Sequence, residues 1–302
     1  MIQPPVLAQA AEAIYHRTGD KDFLRVVLPQ INKYYKWISN ERDIKQSGLI
    51  SIISPFESGM DNSPAFDEVL NLKNPSRNHL LWANRKLDLH NLVRGNYNFH
   101  RLSLIDRFSV VDPMVNAVYA DGLRTLSRLY KEISDNRNYE NTAILAQKTE
   151  QAINKYLWDE TREHYIYLKG LKSKPITILT AACLMPLINE GTSSKRANIL
   201  VTKYLTNTDH FWTPYPVPTV AKSEPSYSPN DEKTIWRGPV CMNINWLLIR
   251  GLKQRGLDKQ ANEIIAKSRF MATQDLREFY SPENGQGMRG EKFGWATLAV
   301  NM

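Results

Sequence analysis

The chain has 302 residues, of which 42% are apolar and 23% charged, a balance that excludes extensive disorder and allows a sizeable core. Its net charge of +8 is spread along the chain with no basic tail, which reads as an ordinary basic surface and not as a nucleic-acid site. Two cysteines, Cys183 and Cys241, exclude a disulfide framework and a zinc spacing. No apolar stretch approaches the roughly 20 residues of a membrane span, and the start lacks a basic-then-apolar leader. The expectation is a soluble, cytoplasmic protein that binds neither membrane nor nucleic acid.

Helical spacing of three and four recurs from end to end. Val6, Ala10 and Ile14 predict one face of a first helix that stops at Gly19. Val27, Ile31, Tyr34 and Ile38 predict a face of a second, which Pro29 should start or kink. Asp112-Pro113 reads as a helix start, with Asp as cap and Pro at the first position. The face that follows runs Val115, Tyr119, Gly122, Leu126, Leu129 and Ile133. Leu145, Thr149, Ala152 and Tyr156 predict a fourth helix. Further helices read at 176–189, 194–206, 240–255 and 258–273, and a last one begins near Gly294.

Tight turns such as RTGDKD and QRGLDK join helices into antiparallel pairs. Irregular segments at 47–66, 71–111, 207–235 and 278–293 exceed the usual loop length, which points to function. Short turns alternating with long loops suit a ring of helical hairpins with the long loops gathered at one end. No fixed repeat supports a solenoid instead. One domain over 1–302 is expected, and 71–111 reads as a lid or an extra helix. His79, His90 and His100 within it fit no metal spacing.

Three segments carry the chemistry. Phe56-Glu57-Ser58-Gly59-Met60-Asp61-Asn62-Ser63-Pro64 sets two carboxylates in a loop, where catalytic groups concentrate. Its Gly, Asn, Asp and Pro would equally suit a plain turn. Thr234 to Trp246 joins Trp236, Arg237, Gly238, Asn243 and Asn245 at the mouth of a helix. Arg277 to Gly287 carries Glu278 beside aromatics, ahead of Phe293-Gly294-Trp295. Core packing would account for Trp246 and Trp295, and a surface ion pair for Arg237.

Taken together, these segments resemble inverting glycosidases of the (α/α)6-barrel type. They are most similar to glycoside hydrolase family 63 in its mannosylglycerate and glucosylglycerate hydrolase branch, with family 37 trehalases as more distant relatives. The resemblance rests on QPP at 3–5, ESGMDNSP at 57–64, VDPMVNA at 111–117 and Trp158-Asp159-Glu160 before TREHYIYL. TPYPVPTVA at 213–221, WRGPVCMNINWLL at 236–248, EFYSPENG at 278–285 and FGWATL at 293–298 follow in family order, so the likeness covers essentially the whole chain.

The resemblance implies an all-α (α/α)6 toroid. It implies Asp61 as general acid, Glu278 as general base, and an inverting α-glycosidase acting on a small glycoside or α-linked gluco-oligosaccharide. Inversion needs a protonated carboxyl for the leaving oxygen and an ionised one for water, roughly 6.5–9.5 Å apart. Glu57 would raise the pKa of the acid and Arg277 would keep the base ionised. Phe293, Trp295 and Trp236 would cover the apolar face of a sugar ring. Arg237, Asn243 and Asn62 would bond its hydroxyls, with Glu57, Gly59 and Gly238 completing the pocket. Gln3 of the QPP motif would meet a glycerate aglycone. No metal or cofactor is called for. Relatives carry helices before QPP and continue past the last motif, so the resemblance also implies a ring incomplete at both ends. Self-association or a second chain would complete it. Two other readings accompany this one: a sugar-binding remnant that needs a partner, and a basic helical binding protein.

Overall fold

The computed structural model describes residues 1–43 and 45–302. Helix α1 (Leu7–Thr18) ends at Gly19, which takes the left-handed φ of 67° that terminates helices well. Its buried side chains are Ala8, Gln9, Ala11 and Glu12, while Val6 and Ile14 are exposed. This corrects the expected Val6–Ala10–Ile14 face. Gln9 and Glu12 are drawn inward by polar partners: Gln9 donates to Asp121 at 2.9 Å, and Glu12 accepts from Arg128 and Arg250, each at 2.9 Å. These buried hydrogen bonds and ion pairs outweigh the local hydrophobic period.

Helix α2 (Lys21–Arg42) is capped by Asp20, whose carboxylate accepts from the Asp22 and Phe23 amides at 2.9 Å. Pro29 lies within it and does not start it. Where one lid or extra helix was expected, α3 (Arg77–Gly95) and α4 (Phe99–Ile105) form a hairpin, each capped by its preceding Ser76 or Asn98. Helix α5 (Pro113–Glu132) begins at the Asp112 cap with Pro113 in its first turn. It is buried on nearly every side, because it packs against α6 (Asn136–Ala152), α1, α2 and the segment Ala181–Ile188.

The spacing predicts an ordinary helix over 176–189. Only Ala181–Ile188 of it is helical, a tight 3₁₀ stretch, buried throughout, with Pro186 inside, which lacks the amide a regular α-helix would use. Helix α7 (Ser194–Ile199) runs on into a widened turn at Leu200–Leu205. Helix α8 (Met242–Gln254) packs on α9 (Asp258–Gln274), on Ala181–Ile188 and on the 3₁₀ segment Gly294–Asn301. The inner row is therefore α1, α5, 181–188, α8 and 294–301, and α2, α6, α7 and α9 back its successive members.

The starts of the inner members, at Asp112, Thr180, Cys241 and Phe293, are where the long connections meet. Small antiparallel sheets stiffen them. Strands β1 (Val110–Val111), β4 (Tyr167–Lys169) and β5 (Lys174–Ile176) pair in the order β1-β4-β5. Strand β2 (Trp158–Asp159) pairs with β3 (His164–Tyr165). Strand β6 (Arg277–Tyr280) pairs with β7 (Gly287–Glu291), so the expected irregular stretch 278–293 is largely a hairpin. One apolar cluster joins residues from Ile2 to Met302. No helix of the described residues is long and apolar enough to cross a membrane.

Candidate active site

The segment bearing Asp61 is built from short caps. Ser54 starts a 3₁₀ turn over Pro55–Glu57, and Ser63 starts another over Pro64–Phe66. Asn116 of α5 brackets the approach to this loop, accepting from the Ile50 amide at 2.8 Å and donating to the Ile50 carbonyl at 2.9 Å. Gly59 takes a left-handed φ of 71°, and a side chain there would press on Pro4 at 3.0 Å. Gln3 donates to the Phe56 carbonyl at 2.8 Å. The QPP motif is therefore fastened to the loop that carries Asp61.

Glu57 does not face a ligand. It is fully enclosed, accepting from the Ile2 amide at 2.7 Å, Arg42 at 2.8 Å and the Ile53 amide at 2.8 Å. Burial pushes its carboxyl up, and the Arg42 charge opposes this. The expected influence of Glu57 on Asp61 is also absent from what acts there. Asp61 is raised by its own burial, against its backbone amide, a hydrogen bond from the Trp236 indole and the positive charge of Arg289.

Trp236 is buried with a left-handed φ of 69°, an uncommon conformation for a bulky residue. Its ring meets Phe279 edge-on at 4.8 Å and lies 6.4 Å from Trp295, which in turn lies 5.6 Å from Phe293. Trp295 is 41% exposed, so this aromatic group is open at its outer member. Arg237 forms a fork with Asp67 at 2.9 and 2.5 Å. This is the ion pair weighed for it from the sequence, though buried and not at the surface; its Nε lacks an acceptor. At Gly238 a side chain would meet the Pro229 backbone at 2.8 Å. Asn243 is half-buried in the first turn of α8, its Oδ1 accepting from Ile244 at 2.8 Å. Asn62 is half-buried beside Asp61.

Glu278 lies on β6, which is sewn to the start of α8: the Val240 and Tyr280 backbones exchange hydrogen bonds of 2.8 and 3.0 Å. Arg277 turns away from its neighbour Glu278, as strand alternation requires, and pairs with Asp275 and Glu291. This corrects its expected role beside the base. The cation near Glu278 is Arg289 of β7, with Nε 3.7 Å from the carboxylate. Arg289 lies beside Glu278, and its positive charge also reaches Asp61, from a hairpin at the opposite end of the sequence. Its place on β7, like the places of Arg42 and Asp67, was missed by sequence reasoning. Trp246 lines a separate cleft of about 770 Å³ with Glu12, Arg250 and Met302.

The family described as mannosylglycerate hydrolase MGH1-like glycoside hydrolase domain matches residues 1–296. The mannosylglycerate hydrolase of Thermus thermophilus is 30% identical, over 99% of this chain and 76% of that one. That of Rubrobacter radiotolerans is 25% identical, over 99% of this chain and 73% of its own length. A crystal structure of a family 63 mannosylglycerate hydrolase from Thermus thermophilus, in complex with Tris and D-glycerate, superposes with a TM-score of 0.87 at 27% identity. The match covers 99% of this chain and 76% of that one. By the family match over residues 1–296 and its likeness to these hydrolases, the chain belongs to the mannosylglycerate hydrolase-like branch of glycoside hydrolase family 63 and is a glycosidase of the (α/α)6-barrel type.

Proposed function

We propose that this chain hydrolyses, with inversion, the α-glycosidic bond of a small glycoside with an anionic aglycone, mannosylglycerate or glucosylglycerate. Asp61 serves as general acid and Glu278 as general base. The observation that carries the reading is the unlike setting of the two carboxyls around one cation. Burial holds the Asp61 carboxyl up, as an acid that must keep its proton requires. Glu278 keeps 22% of its side chain exposed, with Arg289 at 3.7 Å. Unequal environments of this kind divide the acid and base roles between two carboxyls.

In this reading the Asp61 proton passes to the leaving glycosidic oxygen while Glu278 takes a proton from water attacking C1 on the opposite face. Trp236 and Trp295 cover the sugar ring. Gln3, held to the acid loop, would meet the glycerate end. The position of Gln3 and the names of the relatives support the glycerate; the linkage rests on the family.

The experiment is hydrolysis of mannosylglycerate, glucosylglycerate, trehalose, kojibiose and nigerose by the wild type, Asp61→Asn and Glu278→Gln, with the anomer of the released sugar followed by NMR. Turnover of a glycosylglycerate with inverted configuration, abolished by both substitutions, is expected. Full activity in either variant refutes the assignment. A folded wild type that turns over none of the panel refutes the activity.

A further inference from the structure

Strands β6 and β7 do not pair residue for residue. Arg277 stands opposite Glu291 and Phe279 opposite Met288, so the single residue Glu278 faces two, Arg289 and Gly290. This is a β-bulge, a device that bends one strand and re-aims a side chain. The first bulge residue, Arg289, has a φ of 59°. Glycine is the residue that takes this conformation without a steric cost, yet an arginine occupies it.

Two contacts hold the bulge in place. Arg277 donates from Nη1 to the Arg289 carbonyl at 3.0 Å. Gly287 leaves room for the Arg277 stem, which a side chain at 287 would strike at 2.3 Å. The guanidinium that results lies with Nε 3.7 Å from Glu278 Oε2, with 28% of the side chain exposed. Among the described residues no acceptor lies within hydrogen-bond distance of it, so its N–H groups are uncommitted. Strain kept at one backbone position, with a charged group aimed at a carboxylate, is the pattern found at functional sites.

We infer that Arg289 is a positioning residue for Glu278: the bulge turns its guanidinium onto the carboxylate and fixes the face that Glu278 offers to the attacking water. The inference rests on the reading of Glu278 as the base. A surface role for Arg289 gives no reason to keep an arginine where glycine is better suited.

The decisive variant is Arg289→Gly, because glycine relaxes the backbone while removing the guanidinium. We expect Tm unchanged or raised, kcat lowered about 10–100-fold and KM little changed. Methylguanidinium should restore part of the lost turnover, and Arg289→Lys should lose less. Crystal structures of the wild type and Arg289→Gly test positioning without any substrate. The Glu278 carboxyl should shift by more than about 0.5 Å, the tolerance of a productive site. A carboxyl that stays in place overturns the inference, whether or not turnover falls. So does kcat within about twofold of wild type. A wild type with no turnover refutes the proposed activity instead, and the paired structures still decide the role of Arg289.

Discussion

Replacing Glu57 with glutamine tests the claim that this residue holds the acid loop and does not touch substrate. Glu57 and Arg42 are both almost wholly enclosed, at 0% and 1% side-chain exposure. Glutamine keeps the shape and one acceptor, but its amide nitrogen would face a donor, either Arg42 or the Ile53 amide. The Arg42 charge would then remain buried without its counterion; its Nη1 already lacks a partner. Breaking one side of a buried pair costs about 3–5 kcal/mol. A chain of this length unfolds with an entropy of about 0.6 kcal/mol/K, so Tm should fall by about 6 °C. Denaturant unfolding and calorimetry measure the loss. At a temperature where both proteins are folded, KM should stay within about twofold. Stability within about 1 kcal/mol of wild type, together with a large rise in KM, would refute the reasoning and return Glu57 to the substrate pocket.

Two further outcomes follow from buried carboxyls. Burial pushes Asp112 from 3.8 up to about 7, against hydrogen bonds from the Val115 and Met114 amides. Between those values the folded state holds a proton that the unfolded state releases, so stability falls as pH rises from about 4 to 7, by about 4 kcal/mol. Asp112→Asn keeps a good cap and should remove that slope, leaving the variant the more stable at pH 8 and equal at pH 4 in urea titrations. Trp236→Phe removes the indole hydrogen bond that favours ionised Asp61. The Asp61 carboxyl should rise further, and the basic limb of the kcat/KM profile should move to higher pH. A limb that stays in place or moves down would exclude Asp61 as the group that must be protonated.

Much of the scaffold was legible because its signals are local. The Asp112-Pro113 start and the Gly19 stop are chemical events within a few residues, and both stand as expected. The motifs singled out Asp61 and Glu278, and the charge of Arg289 reaches both. Effects of distant partners escaped. Nothing near Glu57 announced Arg42, and the Arg237–Asp67 fork spans 170 residues. The inward turn of α1 depends on Arg128 and Arg250, which no window over 7–18 contains. Sequence adjacency also misled: Arg277 precedes Glu278 but points the other way, while Arg289 reaches it across a hairpin. The helix expected over 176–189 was longer than the one present: β5 takes Ile176, and Pro186 and burial give Ala181–Ile188 a tighter winding than periodicity alone implies.

The two-against-one count in the β6–β7 hairpin sets a limit on insertions and deletions. Losing either residue 289 or residue 290 would restore residue-for-residue pairing with Glu291 still opposite Arg277, and would erase the bulge beside Glu278. The pairing beyond the bulge would survive, while the backbone turn that aims the Arg289 guanidinium at Glu278 would be lost. Added residues at the hairpin tip, around the exposed Glu283 and Asn284, would leave the strand phase intact. Chain length within this hairpin is therefore constrained at one position and free a few residues away, so a single lost codon in β7 is more damaging than a longer insertion at the turn.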